Sequence, residues 1–163
     1  MFTFVYLDKS KKDAILPILF DVFHANMGEI APSELSLEDE KKEFVCEISQ
    51  ALEKEPRKII LSYCKDELVG FFMYYTNQNL LMIEELQLIP KYQKTMLFYR
   101  LCKYLIANLP ENIERIESFA HRGNVHSLSL QAKLGMEIIE CDNPLFSHLQ
   151  GDAKVISKRF ERG

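Results

Sequence analysis

Apolar residues recur along this chain in two rhythms, one near two residues and one near three and a half. The opening run "FTFVYL" has the first rhythm and reads as a short strand. "DAILPILFDVFHANM" switches to the second, with Ile15, Leu19, Val22, Phe23 and Met27 at helical spacing. Pro17 lies within that run and has no N–H to donate, so it must fall in the first turn or kink the helix. "GEIAPS" breaks the pattern. Ser36 followed by Asp39 has the form of a capping box, opening a second helix with the stripe Phe44, Val45, Ile48 and Leu52; Pro56 lies just past its end.

"KIILSYC" and "ELVGFFMYYT" are strands joined through "KDE", a tight hairpin connection. The second is apolar on both alternating faces, which marks an interior strand covered on two sides. "NQN" turns the chain into the strand "LLMIEELQLI". Beyond Pro90, Leu97, Leu101, Leu105 and Leu109 keep i, i+4 spacing in a helix that Pro110 ends. "IERIESFAH" is a further strand, and "VHSLSLQAKLG" a short helix closed by Gly135. "MEIIEC" and "AKVISKRF" read as the last two strands, with "DNPLFSHLQGD" as a polar connection. The order is β, α, α, β, β, β, α, β, α, β, β. Hairpins followed by two strand–helix–strand crossovers predict an α/β chain with a mixed sheet and helices on both faces. No repeat or second-domain boundary shows, so one domain over 1–163 is expected.

Composition narrows the function classes. A net charge of −4 argues against a nucleic-acid surface spread over the whole fold. No apolar run approaches the roughly 20 residues that cross a bilayer, so no membrane role is expected. "MFTFVYLDKSKK" places its apolar stretch before its lysines, the wrong order for a secretory signal, and a cytoplasmic location is the default. Cys46, Cys64, Cys102 and Cys141 are scattered without a C-x-x-C pair, which suits reduced, mostly buried thiols. His24, His121, His126 and His148 lack metal-ligand spacing, and no metal is expected.

Two stretches carry more. "IEELQLIPKYQKTMLF" reads as a strand, a proline corner and the start of a helix. A helix start gathers unsatisfied N–H groups and a partial positive charge, which together suit a diphosphate. With the element order and "GNVHSLSLQAKLGMEI", this stretch resembles the GNAT superfamily of N-acetyltransferases. Members carry V-x-P-x-x-[QR]-x-x-G-x-[GA] between strand and helix, and Leu88, Pro90 and Gln93 match it. They also carry N-x-x-A-x-x-L-Y-x-[KR]-x-G-F, matched by Asn124, Leu130, Lys133 and Gly135, with Ser127 in place of the small residue and Met136 in place of the aromatic.

The resemblance implies a GNAT-like, mostly antiparallel sheet with a splayed strand pair, and acetyl-CoA, or coenzyme A, as cosubstrate. The diphosphate would be wrapped by Gln93, Lys94, Thr95, Met96, Leu97 and Phe98, with Lys91 or Lys94 adding charge. Leu88 and Ile89 would pair with the pantetheine arm, joined by Asn124 and Ser127. Glu84 is the first choice for the proton acceptor and Glu85 the second, because amine acetylation needs a neutral amine. A carboxylate there also favours a cationic acceptor. Such a chain would acetylate a primary amine, on a small molecule or a peptide, by direct attack; relatives often form homodimers.

Three positions depart from the pattern. Met96 and Phe98 fill the two small-residue positions of the loop, where outward side chains would block a phosphate. Gln131 stands where many members have an acid tyrosine, and an amide cannot serve at neutral pH. Tyr92, Tyr99 or a water would have to replace it. An inactive GNAT-fold binding or partner module is therefore the alternative, with a chance likeness of an unrelated α/β domain behind it. Tyr74, Tyr75 and His24 could border an acceptor site, although core or surface packing explains them as well. His121 and His126 read as loop and helix-start residues, and Lys103 and Lys133 as solvated helix faces.

Overall fold

A computed structural model describes residues 1–54 and 56–161; Glu55 and the last two residues of the expected domain, Arg162 and Gly163, lie outside the described residues. The chain runs β1 (Phe2–Tyr6), α1 (Lys12–Met27), α2 (Leu37–Lys54), β2 (Arg57–Cys64), β3 (Glu67–Asn77), β4 (Leu80–Leu88), α3 (Leu97–Ala107), β5 (Arg115–His121), α4 (Val125–Leu134), β6 (Glu137–Ile139), β7 (Phe146–Asp152) and α5 (Ala153–Glu161). Among the described residues the strand order is β1-β2-β3-β4-β5-β7-β6. β1 with β2, β5 with β7 and β6 with β7 pair antiparallel, and β4 with β5 pairs parallel. The sheet is mixed and mostly antiparallel, as expected. The chain divides into two compact units, 1–73 with 85–101 and 74–84 with 102–163.

In the first unit α1 and α2 bury one apolar stripe. Leu16, Leu19, Val22, Ile48 and Leu52 pack on Ile59 and Leu61 of β2 and on Phe71 and Met73 of β3. Ile60, Ser62 and Phe72, of opposite parity, are buried too, so this part of β2 and β3 is covered on both faces. Ser36 Oγ accepts the Asp39 N–H at 3.2 Å, supplying the expected helix cap. A 3-10 turn at Lys9–Lys11 precedes α1, so Pro17 sits beyond the first turn, at the cost of one intrahelical bond. Gly70 is required where β3 meets the end of β4: a β-carbon there would lie 2.6 Å from Leu88 Cδ2 and 2.9 Å from the Gln87 carbonyl oxygen.

In the second unit the parallel register of β4 and β5 runs from Leu80↔Arg115 to Ile83↔Ser118 and ends there. β5 pairs along its length with β7, from Arg115↔Asp152 to His121↔Phe146. Gly135, at φ 104°, closes α4 as expected.

Four expectations are corrected. "AKVISKRF" is α5, not a strand: Asp152 caps it by accepting the N–H groups of Lys154 (2.9 Å) and Val155 (3.0 Å), and Ala153, Ile156 and Phe160 form its buried helical stripe. The last strand is β7, within the stretch read as a connection. Its alternation was masked because the buried face carries Ser147, Leu149 and Gly151. The helix after Pro90 begins only at Leu97, behind a 3-10 turn at Pro90–Tyr92, and Leu109 falls outside it. The thiols are not mostly buried: Cys46 is exposed and Cys64 and Cys141 are half-buried. Cys102 alone among them is buried, which pushes its thiol up to about 12. Among the described residues no helix is long and apolar enough to cross a membrane.

Candidate functional site

The corner between β4 and α3 is best read by asking where each backbone donor goes. The Ile89 N–H bonds the Val69 carbonyl at 2.9 Å, and the Ile89 carbonyl receives the Tyr92 N–H at 2.9 Å. Gln93 donates its N–H to Pro90 at 3.2 Å, and Thr95 to Tyr92 at 3.2 Å. The Thr95 hydroxyl donates to the Tyr92 carbonyl at 2.6 Å and accepts the Leu97 N–H at 3.2 Å. The Met96 carbonyl takes the Arg100 N–H at 3.0 Å, which opens α3. The N–H groups of Lys94, Met96 and Phe98 form no hydrogen bond among the described residues. Three alternate donors thus stand free at the start of an 11-residue helix.

The two bulky residues part company. Phe98 is 9% exposed and turned into the core, whereas Met96 is 56% exposed. The Phe98 ring does not stand in front of the loop. Met96 has room to swing on a flexible, unbranched stem. Lys94 is exposed beside it.

The loop is pinned from behind. Asn26, near the end of α1, donates to the Leu88 carbonyl at 2.7 Å and to Gln87 Oε1 at 3.0 Å. Gln93 Nε2 donates to Asn26 Oδ1 at 2.9 Å and to the same Leu88 carbonyl at 3.2 Å. Gln87 in turn donates to Glu85 Oε2 at 3.0 Å. The Gln93 side chain is therefore spent on holding the corner. Because the Ile89 N–H faces β3, strand alternation turns the N–H groups of Leu86 and Leu88 to the other edge of β4. Asn26 and Gln87 escaped the sequence reading; nothing in their spacing marks them, since their meeting is made by the fold.

The second unit holds the other expected binding residues. Asn124 caps α4, its Oδ1 accepting the Ser127 N–H at 3.1 Å. Ser127 Oγ accepts from Gln131 Nε2 at 3.0 Å, and Gln131 Oε1 accepts the Ser118 hydroxyl of β5. Gln131 is buried and ties α4 to β5. That role needs an amide with one donor and one acceptor aimed oppositely, which a tyrosine could not supply. Tyr92 hydrogen-bonds the Cys64 thiol, and this bond holds its hydroxyl above the usual tyrosine range. Tyr99 lies half-buried in the first turn of α3.

Glu84 and Glu85 are both half-buried. Met82 pairs with Glu117, so in the second unit Glu84 lies on the face of the sheet that carries Arg115, Glu117 and Phe119. On that face His148 Nε2 meets Glu117 Oε1 at 2.6 Å, a pair the sequence reading did not anticipate. Glu85 belongs to the Asn26–Gln87 network of the first unit. His24 stacks on Phe20 at 5.6 Å, and Tyr74 is buried while Tyr75 is half-buried. His121 Nδ1 accepts the Gly123 N–H at 3.0 Å, and His126 is exposed in the first turn of α4. Lys103 and Lys133 lie on exposed helix positions. Among the described residues no three His, Cys, Asp or Glu side chains gather as a metal site.

No protein-family model matches this sequence, and no curated protein matches it by sequence. Solved structures do match. The PaiA N-acetyltransferase from Thermoplasma acidophilum, in complex with coenzyme A, is similar at 15% identity and TM-score 0.69, over 93% of this chain and 99% of that one. An acetyltransferase from Thermus thermophilus is similar at 18% identity and TM-score 0.73, over 93% and 97%. A GNAT-family acetyltransferase from Staphylococcus aureus is similar at 12% identity and TM-score 0.72, over 94% and 99%. The fold of this chain is the GNAT fold.

Proposed function

We propose that the whole chain acts as one acyltransferase domain, moving an acetyl group from acetyl-CoA to a primary amine of a small molecule or peptide. The observation that carries this reading is the trio of free N–H groups on Lys94, Met96 and Phe98, with Phe98 turned inward. A diphosphate is the ligand such a helix start suits, and coenzyme A carries one. Lys94 adds a positive charge, and the α3 dipole adds its own. Thr95, Leu97, Gln93 and Ile89 shape the corner instead, because their N–H groups are already bonded. On β4 the Leu88 N–H, turned away from β3, suits an amide of the pantetheine arm or the thioester oxygen. The Ser127 hydroxyl still has a proton to give, and Asn124 holds it in place.

Acetyl-CoA supplies the activated acetyl group, so the chain's own task is positioning and proton removal. Glu84, with Glu85 as second choice, draws in a cationic amine and offers it a carboxylate. The fold of coenzyme-A-binding and acetyltransferase structures supports the same reading. Calorimetry with coenzyme A, followed by a thiol-release assay with acetyl-CoA and a panel of primary amines, tests it. Saturable heat and amine-dependent thiol release are expected. Absence of heat at millimolar coenzyme A would overturn the proposal; binding without release for any amine would favour the inactive module.

A further inference from the structure

Among the described residues, the second unit presents a sheet face opposite the one on which α4 and α5 pack. These helices pack through Gln131 against Ser118 and through Ile156 beside Gly151. On the face away from them the register brings together Arg115, Glu117, Phe119 and His121 of β5, Phe146, His148, Gln150 and Asp152 of β7, Glu137 of β6 and Glu84 of β4. At its centre is an arrangement that surface charge alone does not produce. His148 Nε2 meets Glu117 Oε1 at 2.6 Å, and Arg115 lies 3.4 Å from the other carboxylate oxygen. The Phe119 ring stacks on the imidazole, centroids 4.4 Å apart and planes 15° apart, while remaining 48% exposed itself. His148 Nδ1 has no hydrogen bond among the described residues and is not enclosed.

That geometry fixes a tautomer. In the neutral ring Nε2–H donates to the carboxylate, which leaves the lone pair on Nδ1, at the open side of the ring. Phe119 and Glu117 hold the ring in one orientation. A carboxylate-oriented imidazole with its second nitrogen bare is the form a general base takes. We propose that His148 is the general base for the acceptor amine, oriented by Glu117, and that the acceptor binds as an ammonium on this face, steadied by the charge of Glu84. The inference rests on the acyl-transfer reading and moves its proton acceptor from the Glu84 carboxylate to His148, leaving Glu84 to attract the ammonium. His148 Nδ1 removes one proton from the ammonium. The freed nitrogen forms its C–N bond to the acetyl carbon as the C–S bond breaks and the sulfur leaves with the electron pair. The second nitrogen proton reaches that sulfur through solvent, and the imidazolium returns its own proton to solvent. Acidic and basic neighbours on the face, Glu84, Arg115, Glu117, His121, Glu137 and Asp152, all contribute to its field.

Two measurements test the assignment. Long-range nitrogen–proton NMR on the free protein reads the tautomer of His148 without any turnover: an Nε2–H ring is expected in the wild type, and a mixture of tautomers in Glu117→Leu, whose side chain cannot accept a hydrogen bond. Kinetics with the amines that the wild type acetylates read the role. His148→Gln, whose amide can still donate to Glu117, is expected to lower kcat about 100-fold or more. It should also remove the acid limb of the pH–kcat/KM profile, with coenzyme A affinity unchanged. An Nδ1–H ring in the wild type, or unchanged kcat in His148→Gln, would overturn the inference while leaving the transferase reading intact. A wild type that binds coenzyme A yet acetylates no amine would remove both.

Discussion

Phe98→Gly, which gives the corner the small residue of the motif it resembles, is expected to cost about 3–5 kcal/mol of stability, the usual loss when a buried phenyl group is removed. The reason is that Phe98 does two separable things. Its ring belongs to the core, at 9% exposure, while its N–H has no hydrogen bond among the described residues. Glycine would leave the donor as it is, empty the space of the ring and loosen the first turn of α3. No gain in coenzyme A affinity follows. Met96→Gly should behave oppositely, because that side chain is 56% exposed and packs little. Its stability should stay within about 1 kcal/mol of wild type, and its coenzyme A affinity should be equal or better. Urea unfolding of both variants, with calorimetric titration of whichever remains folded, checks the pair. If Phe98→Gly were as stable as wild type, the ring would not be the core element described above.

Asn26→Leu is the second large effect. The leucine is close in size but strips three partners at once: the Leu88 carbonyl, Gln87 Oε1 and Gln93 Nε2. Each buried polar group left unpaired costs about 1–3 kcal/mol, and because Asn26 is only half-buried the total should be about 2–3 kcal/mol. The consequence reaches beyond stability. Gln93 keeps its 3.2 Å bond to Leu88 but loses the Asn26 oxygen that fixes its amide, so the corner is held to the strand less firmly. Coenzyme A affinity should fall about tenfold, or 1.4 kcal/mol. Thermal unfolding and calorimetry on the same preparation separate the two. A stability loss with unchanged affinity would mean that the network holds α1 in place without positioning the corner.

Much of this fold was legible because local and tertiary signals agreed. β1 alternates, β2 and β3 hold the continuous apolar runs of strands covered on both faces, α2 carries a cap and a stripe, and Gly135 marks the end of α4. The end of the chain was not legible for a physical reason. In β7 the buried positions hold a serine, a leucine and a glycine, since Ile156 and Met136 come within 2.8 Å of where a Gly151 β-carbon would lie. A face filled by its neighbours leaves no hydrophobic alternation to read. In α5 the stripe Ala153, Ile156 and Phe160 is sparse, and the alternating Ile156 and Phe160 imitate a strand. The corner was legible as a motif but not as geometry. Sequence places Met96 and Phe98 in equivalent positions, and only packing sends one outward and the other in. Partners from distant segments, such as Asn26 with Leu88 or His148 with Glu117, carry no spacing signal at all.

The central claim is that main-chain donors at the start of α3 receive a diphosphate. Amide-resolved NMR during a coenzyme A titration reads those donors one by one. The account predicts saturable shifts, downfield as for new hydrogen bonds, at Lys94, Met96 and Phe98, with much smaller changes at Gln93 and Thr95, whose N–H groups are already bonded. Saturation of the protein with coenzyme A while the amides of residues 94, 96 and 98 stay unmoved would contradict it.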